Sequence, residues 1–220
     1  MHLLQAQTEV NISSLIHTLP IPDSDMSTKQ VQCAPWASLS TETQQVDWLI
    51  LHFNHWFSHL NVTLVRGDFE PEYFPATNNV PARIQFAHGF FNSALHEISH
   101  WTIAGEQRRR LPDLGYWYAP DGRSAEQQAL FEQVEVKPQA IEWLFAQAFG
   151  RKFRVSLDNL SGQSGDGENF KNNVYLQVQK YFSGENKLPR DAQQFIEAIC
   201  LCTRGGKMLQ DIEFQRHALD

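Results

Sequence analysis

The chain has 220 residues, of which 42% are hydrophobic and 20% charged, a composition typical of one globular domain. A formal net charge of -7 argues against direct binding of nucleic acid through a broad basic surface. Because no apolar run approaches the roughly 18 residues of a membrane helix and no signal-peptide pattern is seen, we expect a cytoplasmic protein without membrane attachment. Three cysteines without disulfide or metal-site spacing favour the same reducing compartment.

The predicted fold class is α+β, a single compact domain in which a metal-binding helix lies beside a small sheet. Residues 1–42 are polar and interrupted by prolines, so we expect a weakly structured N-terminal extension. The compact domain is predicted over residues 43–203, and residues 204–220 are predicted to form a loose C-terminal tail.

A first helix is predicted after a candidate N-cap in residues 40–43, because apolar residues recur at helical spacing from Val46 to Phe57. His52, His55 and His59 share one face of this helix and form a rival candidate metal site. No carboxylate accompanies them, so the favoured interpretation is an exposed, unliganded face. Residues 61–66 alternate like a strand, residues 68–75 are predicted to be a loop, and residues 83–86 predict a second strand.

The most informative motif is the pentapeptide His96-Glu97-Ile98-Ser99-His100, an H-E-x-x-H pattern. It falls inside a helix predicted over residues 90–104, after a break at residues 87–89 and before Gly105 at a C-cap position. Residues four apart lie on the same face of a helix, so both imidazoles can reach one metal ion. The neighbouring Glu97 is a candidate proton carrier.

Several segments after the motif helix are predicted less sharply. Residues 111–123 are aromatic and irregular, as expected of a loop that shapes a substrate pocket. The basic run of residues 108–110 either meets an acidic partner or is solvated. A long helix is predicted from Ser124 to Gly150, with a bend at Pro138. A strand over 152–157, a loop over 161–167, and helices over 172–181 and 191–201 follow.

A catalytic metal needs a further protein ligand. The metzincin continuation fails, because Ile103 and Glu106 stand where that pattern requires Gly and His. The alternative is a glutamate from a later helix. Glu135 is the favoured candidate, and Glu132, about one turn earlier, is the second.

Longer strings surround these residues. They include Arg66-Gly67-Asp68, Phe86-Ala87-His88-Gly89-Phe90, His96-Glu97-Ile98-Ser99-His100-Trp101, Gly115-Tyr116-Trp117-Tyr118, Pro120-Asp121-Gly122-Arg123 and Val134-Glu135-Val136-Lys137-Pro138. Through these strings, residues 57 to 181 resemble the elongation factor P hydroxylase family, also called the EpmC family.

The resemblance implies an oxygen-dependent hydroxylase that acts on the β-lysylated lysine of elongation factor P in the bacterial cytoplasm. It implies iron as the metal and molecular oxygen as the co-substrate. The family's metal ligands fall on His96, His100 and Glu135 of this sequence, in a local arrangement like that of zincins. Glu97 is then expected to handle protons or to orient a ligand.

Substrate contacts are expected from Tyr116, Trp117 and Asp121, which offer aromatic faces and a carboxylate to the cationic side chain. Two other classes stay open at this point. One is an H-E-x-x-H zinc metallopeptidase, because two histidines and a glutamate also bind zinc in proteases. The other is a non-catalytic module that binds modified elongation factor P.

Overall fold

The computed structural model describes residues 35–116, 122–157 and 167–220 of the chain. Within these ranges the chain forms five α-helices: α1 (Glu42–Trp56), α2 (Phe91–Ile103), α3 (Ala125–Ala148), α4 (Glu168–Ser183) and α5 (Arg190–Thr203). The strands in the same ranges are β1 (Val62–Arg66), β2 (Glu72–Phe74) and β3 (Ala82–Phe86). The described residues belong to one compact unit. Their helices and small sheet confirm the predicted α+β class.

The three strands form one small sheet in the order β1-β3-β2. β1 and β3 are parallel, with Leu64 opposite Ile84, and β2 runs antiparallel to β3. The prediction of a loop over residues 68–75 is wrong at β2. This strand is only three residues long and therefore too short to show an alternating pattern, but its central Tyr73 is buried opposite Ile84.

Helix α1 begins where the sequence predicts it. The side chain of Thr41 accepts a hydrogen bond from the backbone of Gln44, and the Gln44 side chain accepts one from the Thr41 backbone. This reciprocal pairing satisfies two backbone donors that an uncapped helix leaves without partners.

Helix α2 is anchored in an aromatic core. Its residues Phe91, Leu95 and Ile98 are fully buried. The ring of Trp101 lies edge-on to Phe53 and Phe57 of the α1 segment, at 5.6 and 5.1 Å between centroids. Edge-to-face pairs at these distances add to the stabilisation from burial. One face of the motif helix is thus packed into the aromatic core. Its other face can contribute side chains to the candidate site.

Helix α3 runs for 24 residues and continues through Pro138. The segment predicted as a strand over residues 152–157 is not a strand. Instead, the side-chain amide of Gln139 donates to the carbonyl of Ser156 (2.7 Å) and accepts from its N–H (3.0 Å). A single glutamine side chain thereby supplies both hydrogen bonds that a neighbouring strand would provide, and the segment lies along α3 rather than in the sheet.

Residues at both ends of the predicted domain pack against it. Trp36, inside the predicted extension, lies 4.8 Å from the ring of Phe149. In the segment predicted to be a loose tail, Phe214 is buried with its ring 5.0 Å from that of Trp143. Residues 204–220 therefore lie on the helices; the extension before residue 35 falls outside the described residues. None of the described helices combines the length and the apolar character needed to cross a membrane.

Candidate metal centre

The path of the chain from β3 into α2 depends on an unusual turn at residues 87–89. His88 has φ of 50° and Gly89 φ of 70°, so two successive residues adopt the left-handed conformation. Left-handed backbone costs a non-glycine residue about 1 kcal/mol or more. The hydroxyl of Ser93 accepts a hydrogen bond from the Ala87 N–H (3.0 Å) and helps to hold this turn. The turn sets the direction of α2, and the histidines of α2 face α3.

Three predicted metal ligands meet at the contact between α2 and α3. The Nε2 atoms of His96 and His100 are 3.1 Å apart. The carboxylate of Glu135 places Oε1 at 3.3 Å from His100 Nε2 and Oε2 at 3.6 Å from His96 Nε2. Among the residues that the structure describes, these three form the only group of histidine, cysteine and carboxylate side chains placed to hold a metal ion, with ligand atoms within 4.8 Å of one another.

The donor set fits a divalent cation. Two imidazole nitrogens and a carboxylate oxygen are the ligands that catalytic zinc and non-haem iron both accept. His100 and Glu135 are buried and His96 is partly buried, so a bound ion would be shielded from bulk water on most sides. The fit does not distinguish between the two metals.

The structure adds a residue that sequence reasoning missed. The carboxylate of Glu142 lies 2.8 Å from Nδ1 of His96, and its side chain is 10% exposed. Glu135 and Glu142 are 142 minus 135, or 7, residues apart on α3, which places both on one helix face about two turns from each other. That spacing was the available signal, but it acquires meaning only once α3 is known to face the motif helix.

The charge environment of His96 is strongly anionic. Burial lowers the pKa of His96, but the hydrogen bond with Glu142 and the negative charges of Glu142, Glu135 and Glu97 outweigh that effect and raise the pKa to about 10. The surroundings of this imidazole therefore favour positive charge at its position. A site that attracts a proton so strongly also favours a divalent cation.

Glu97 lies beside the group of three without belonging to it. Burial raises the pKa of its carboxyl group, and the nearby His96 and His100 oppose that rise. Burial likewise raises the pKa of Glu142, against the hydrogen bond and charge of His96. Glu132 lies apart: its Oε1 accepts a hydrogen bond from Gln128 at 3.2 Å, and it is not in the metal-binding group.

Of the predicted substrate contacts, Tyr116 lies near the centre. Its ring is 5.7 Å from that of His100, centroid to centroid, in an edge-on arrangement. The guanidinium of Arg108 stands over the Tyr116 ring at 3.5 Å, so one aromatic face is already occupied by a cation. Trp117 and Asp121 lie outside the described residues.

The basic run of residues 108–110 is used mainly within the protein. Arg108 also donates to the carbonyl of Leu114 (2.8 Å). Arg109 donates to the Trp101 carbonyl and to buried Asp191, at 2.9 and 2.6 Å, and Arg110 pairs with Glu106 at the surface. Two of the three arginines are therefore structural, which weakens the idea of a docking patch.

The rival histidine cluster, His52 and His55 on α1 and His59 in the turn that follows it, does not form a metal site in the described structure. His52 stacks on Trp48 at 3.6 Å between ring centroids and bonds through Nδ1 to the Trp48 carbonyl. His55 and His59 are exposed. The expectation of an exposed face is therefore confirmed for His55 and His59, but it is wrong for His52, which is half-buried against Trp48.

Comparison with known proteins gives two consistent matches. Residues 52–211 match the family described as Elongation factor P hydroxylase, EpmC. A protein from Haemophilus influenzae named "Elongation factor P lysine hydroxylase" is 51% identical over 153 residues, which cover 69% of this chain and 85% of the relative. The family match over residues 52–211 spans both α2 and α3 and so contains His96, His100, Glu135 and Glu142. The chain belongs to the elongation factor P hydroxylase family.

Proposed function

We propose that the chain hydroxylates the β-lysylated lysine of elongation factor P at an iron centre held by His96, His100 and Glu135, in the cytoplasm. The observation that carries the proposal is the convergence of one ligand atom from each of these three side chains within 4.8 Å, in a member of a hydroxylase family. The proposed local arrangement is zincin-like: an H-E-x-x-H helix supplies two ligands and a later helix supplies a glutamate.

The balance of atoms and electrons in the proposed hydroxylation defines which reactants the site must accommodate. One oxygen atom of O2 enters a C–H bond of the lysine side chain, and the other leaves as water with two electrons and two protons from a reductant. Bound iron supplies the redox chemistry that O2 activation requires. The two imidazoles and the carboxylate would hold it, and the remaining chemistry depends on proton supply and on substrate orientation.

Glu97 is proposed as the residue that handles protons. It follows His96 directly on α2, and its carboxyl group interacts electrostatically with both histidines and with Glu135. A carboxyl group in that position can hold a proton close to the reacting oxygen atoms and release it as water forms. In a peptidase the same residue would instead deprotonate a metal-bound water.

The substrate proposed here is a long side chain with amino groups. Glu97, Glu135 and Glu142 concentrate carboxylates around the two histidines, which suits a cationic substrate near the centre. Tyr116 offers its ring beside His100. Because Arg108 covers one face of that ring, a substrate ammonium group would use the other face or the ring edge. Trp117 and Asp121 are proposed to complete the contact.

Mass spectrometry of elongation factor P tests the proposal. Purified chain loaded with Fe(II) under air and a reductant is incubated with β-lysylated elongation factor P, and a gain of one oxygen atom on the modified lysine is expected. The same incubation with zinc-loaded chain should give no gain. Cleavage of peptides by the zinc-loaded chain would support the peptidase instead, and tight binding of elongation factor P by a chain without metal would support the non-catalytic module.

A further inference from the structure

We infer that Glu142 is a positioning residue for the metal centre: it fixes the tautomer and the ring orientation of His96, and thereby sets the affinity of the site for a divalent cation. The inference rests on the proposed metal site and extends it to a residue outside the ligand set. Neither the sequence motif nor the predicted ligands include Glu142.

The contact is direct and well placed. Oε2 of Glu142 is 2.8 Å from Nδ1 of His96, a distance typical of a strong charge-assisted hydrogen bond. The residue is 8% exposed, so water competes little for either partner. A buried carboxylate aimed at a single ring nitrogen has lost most of its hydration, which makes the imidazole N–H its principal compensation.

The consequence for His96 follows from the chemistry of imidazole. A neutral imidazole has one N–H and one lone pair, so a ring that donates from Nδ1 presents its lone pair at Nε2. Nε2 is the atom that faces His100 and Glu135. Glu142 therefore selects the tautomer that can bind a cation on the side where the other ligands lie.

Geometry also assigns Glu142 a role different from that of Glu135. The two carboxylates contact opposite edges of the same imidazole, because Glu142 meets Nδ1 and Glu135 approaches Nε2. Glu135 thus lies on the side of the ring where a cation would bind, whereas Glu142 lies on the opposite side. Carboxylates that bond to the far nitrogen of a ligating histidine raise its basicity, and their removal commonly weakens metal binding by about 10- to 100-fold.

The test measures metal affinity rather than turnover. Full-length wild-type chain and the variants Glu142→Gln, Glu142→Ala and Glu132→Gln are titrated with Co(II) or Zn(II) against a chromophoric chelator, after circular dichroism has shown that each is folded. Glu142→Gln keeps an acceptor oxygen but removes the charge, so an affinity loss of about 10-fold is expected. Glu142→Ala removes the acceptor as well and should lose about 100-fold. Glu132→Gln, on the same helix but hydrogen-bonded to Gln128, should bind as wild type does.

The visible absorption of the Co(II) form provides a second readout. A change in the orientation of His96 alters the ligand field, so Glu142→Gln should shift the bands of the bound ion. If folded Glu142→Gln matches wild type in affinity and in spectrum, Glu142 is only a packing residue and the inference is overturned. A wild-type chain that binds no metal would instead overturn the proposed metal site itself, so the two failures are distinguishable.

Discussion

The Nε2 atoms of His96 and His100 face each other at 3.1 Å. Two imidazole lone pairs at this separation repel, so the arrangement requires a positive charge between them or a proton on one of the nitrogens. The anionic surroundings that raise the pKa of His96 to about 10 stabilise such a proton. A divalent cation bound by both nitrogens and by Glu135 would take over the same role.

Removal of a ligand should abolish metal binding and product together. His96→Ala, His100→Ala and Glu135→Ala each remove one of three converging metal ligands. The two ligands that remain should bind iron too weakly to retain it during purification. Bound iron is measured by elemental analysis and product by mass spectrometry of elongation factor P. Glu132→Ala is the matched control, expected to retain both. Full hydroxylation by a metal-free Glu135→Ala protein would contradict the assigned ligand set.

Glu97→Gln should separate metal binding from chemistry. The variant keeps the shape of the side chain but cannot transfer a proton, so we expect wild-type iron content and a hydroxylation rate lower by about 10²- to 10⁴-fold. Single-turnover formation of hydroxylated elongation factor P is the appropriate measurement. An unchanged rate would show that Glu97 has no part in proton transfer.

Substitution of Tyr116 should affect substrate use. Tyr116→Ala removes a ring that contacts both His100 and Arg108, and an aromatic contact worth about 1 kcal/mol corresponds to a decrease in kcat/KM of roughly 5-fold. Tyr116→Phe retains the ring and should stay closer to wild type. Steady-state kinetics with β-lysylated elongation factor P would measure both, and equal kinetics for Tyr116→Ala and wild type would exclude Tyr116 from the substrate site.

The aromatic core makes a separate prediction for stability. Phe195 of α5 is fully buried and lies against Phe53 and Phe145 at 5.8 and 4.8 Å between centroids. Phe195→Ala should lower the free energy of unfolding by about 3–5 kcal/mol through lost burial and the remaining cavity. Leu201→Ala, at an exposed position of the same helix, should change it by no more than about 0.5 kcal/mol. Urea denaturation of both variants is the measurement.

The domain boundary proposed at residue 203 can be tested by truncation. Deletion of residues 204–220 removes Phe214 from its contact with Trp143 and uncovers that buried ring. We expect a loss of at least about 3 kcal/mol in stability, the magnitude of a single Phe→Ala change in a core. A truncated chain with the thermal midpoint of the full chain would show that residues 204–220 are not required for the fold.

The sequence by itself determined the local features of this protein. The N-cap expected within residues 40–43, which falls on Thr41, and the 3.6-residue periodicity of α2 depend on neighbours within a few residues, and the structure confirms both. The pentapeptide placed its two histidines on one helix face for the same reason. The resemblance to the hydroxylase family also came from contiguous strings, and the comparisons confirm it.

Tertiary structure decided what depends on the packing of α3 against α2. Spacing along the chain ranked Glu135 above Glu132 but could not place either, because the rotation of α3 about its axis is set by its contacts. That rotation brings Glu135 to both histidines and Glu142 to the far side of His96. It also places Gln139 where it replaces a strand partner for Ser156, which no local propensity encodes. Side-chain hydrogen bonds across distant segments have no periodic signature, so only the folded chain reveals them.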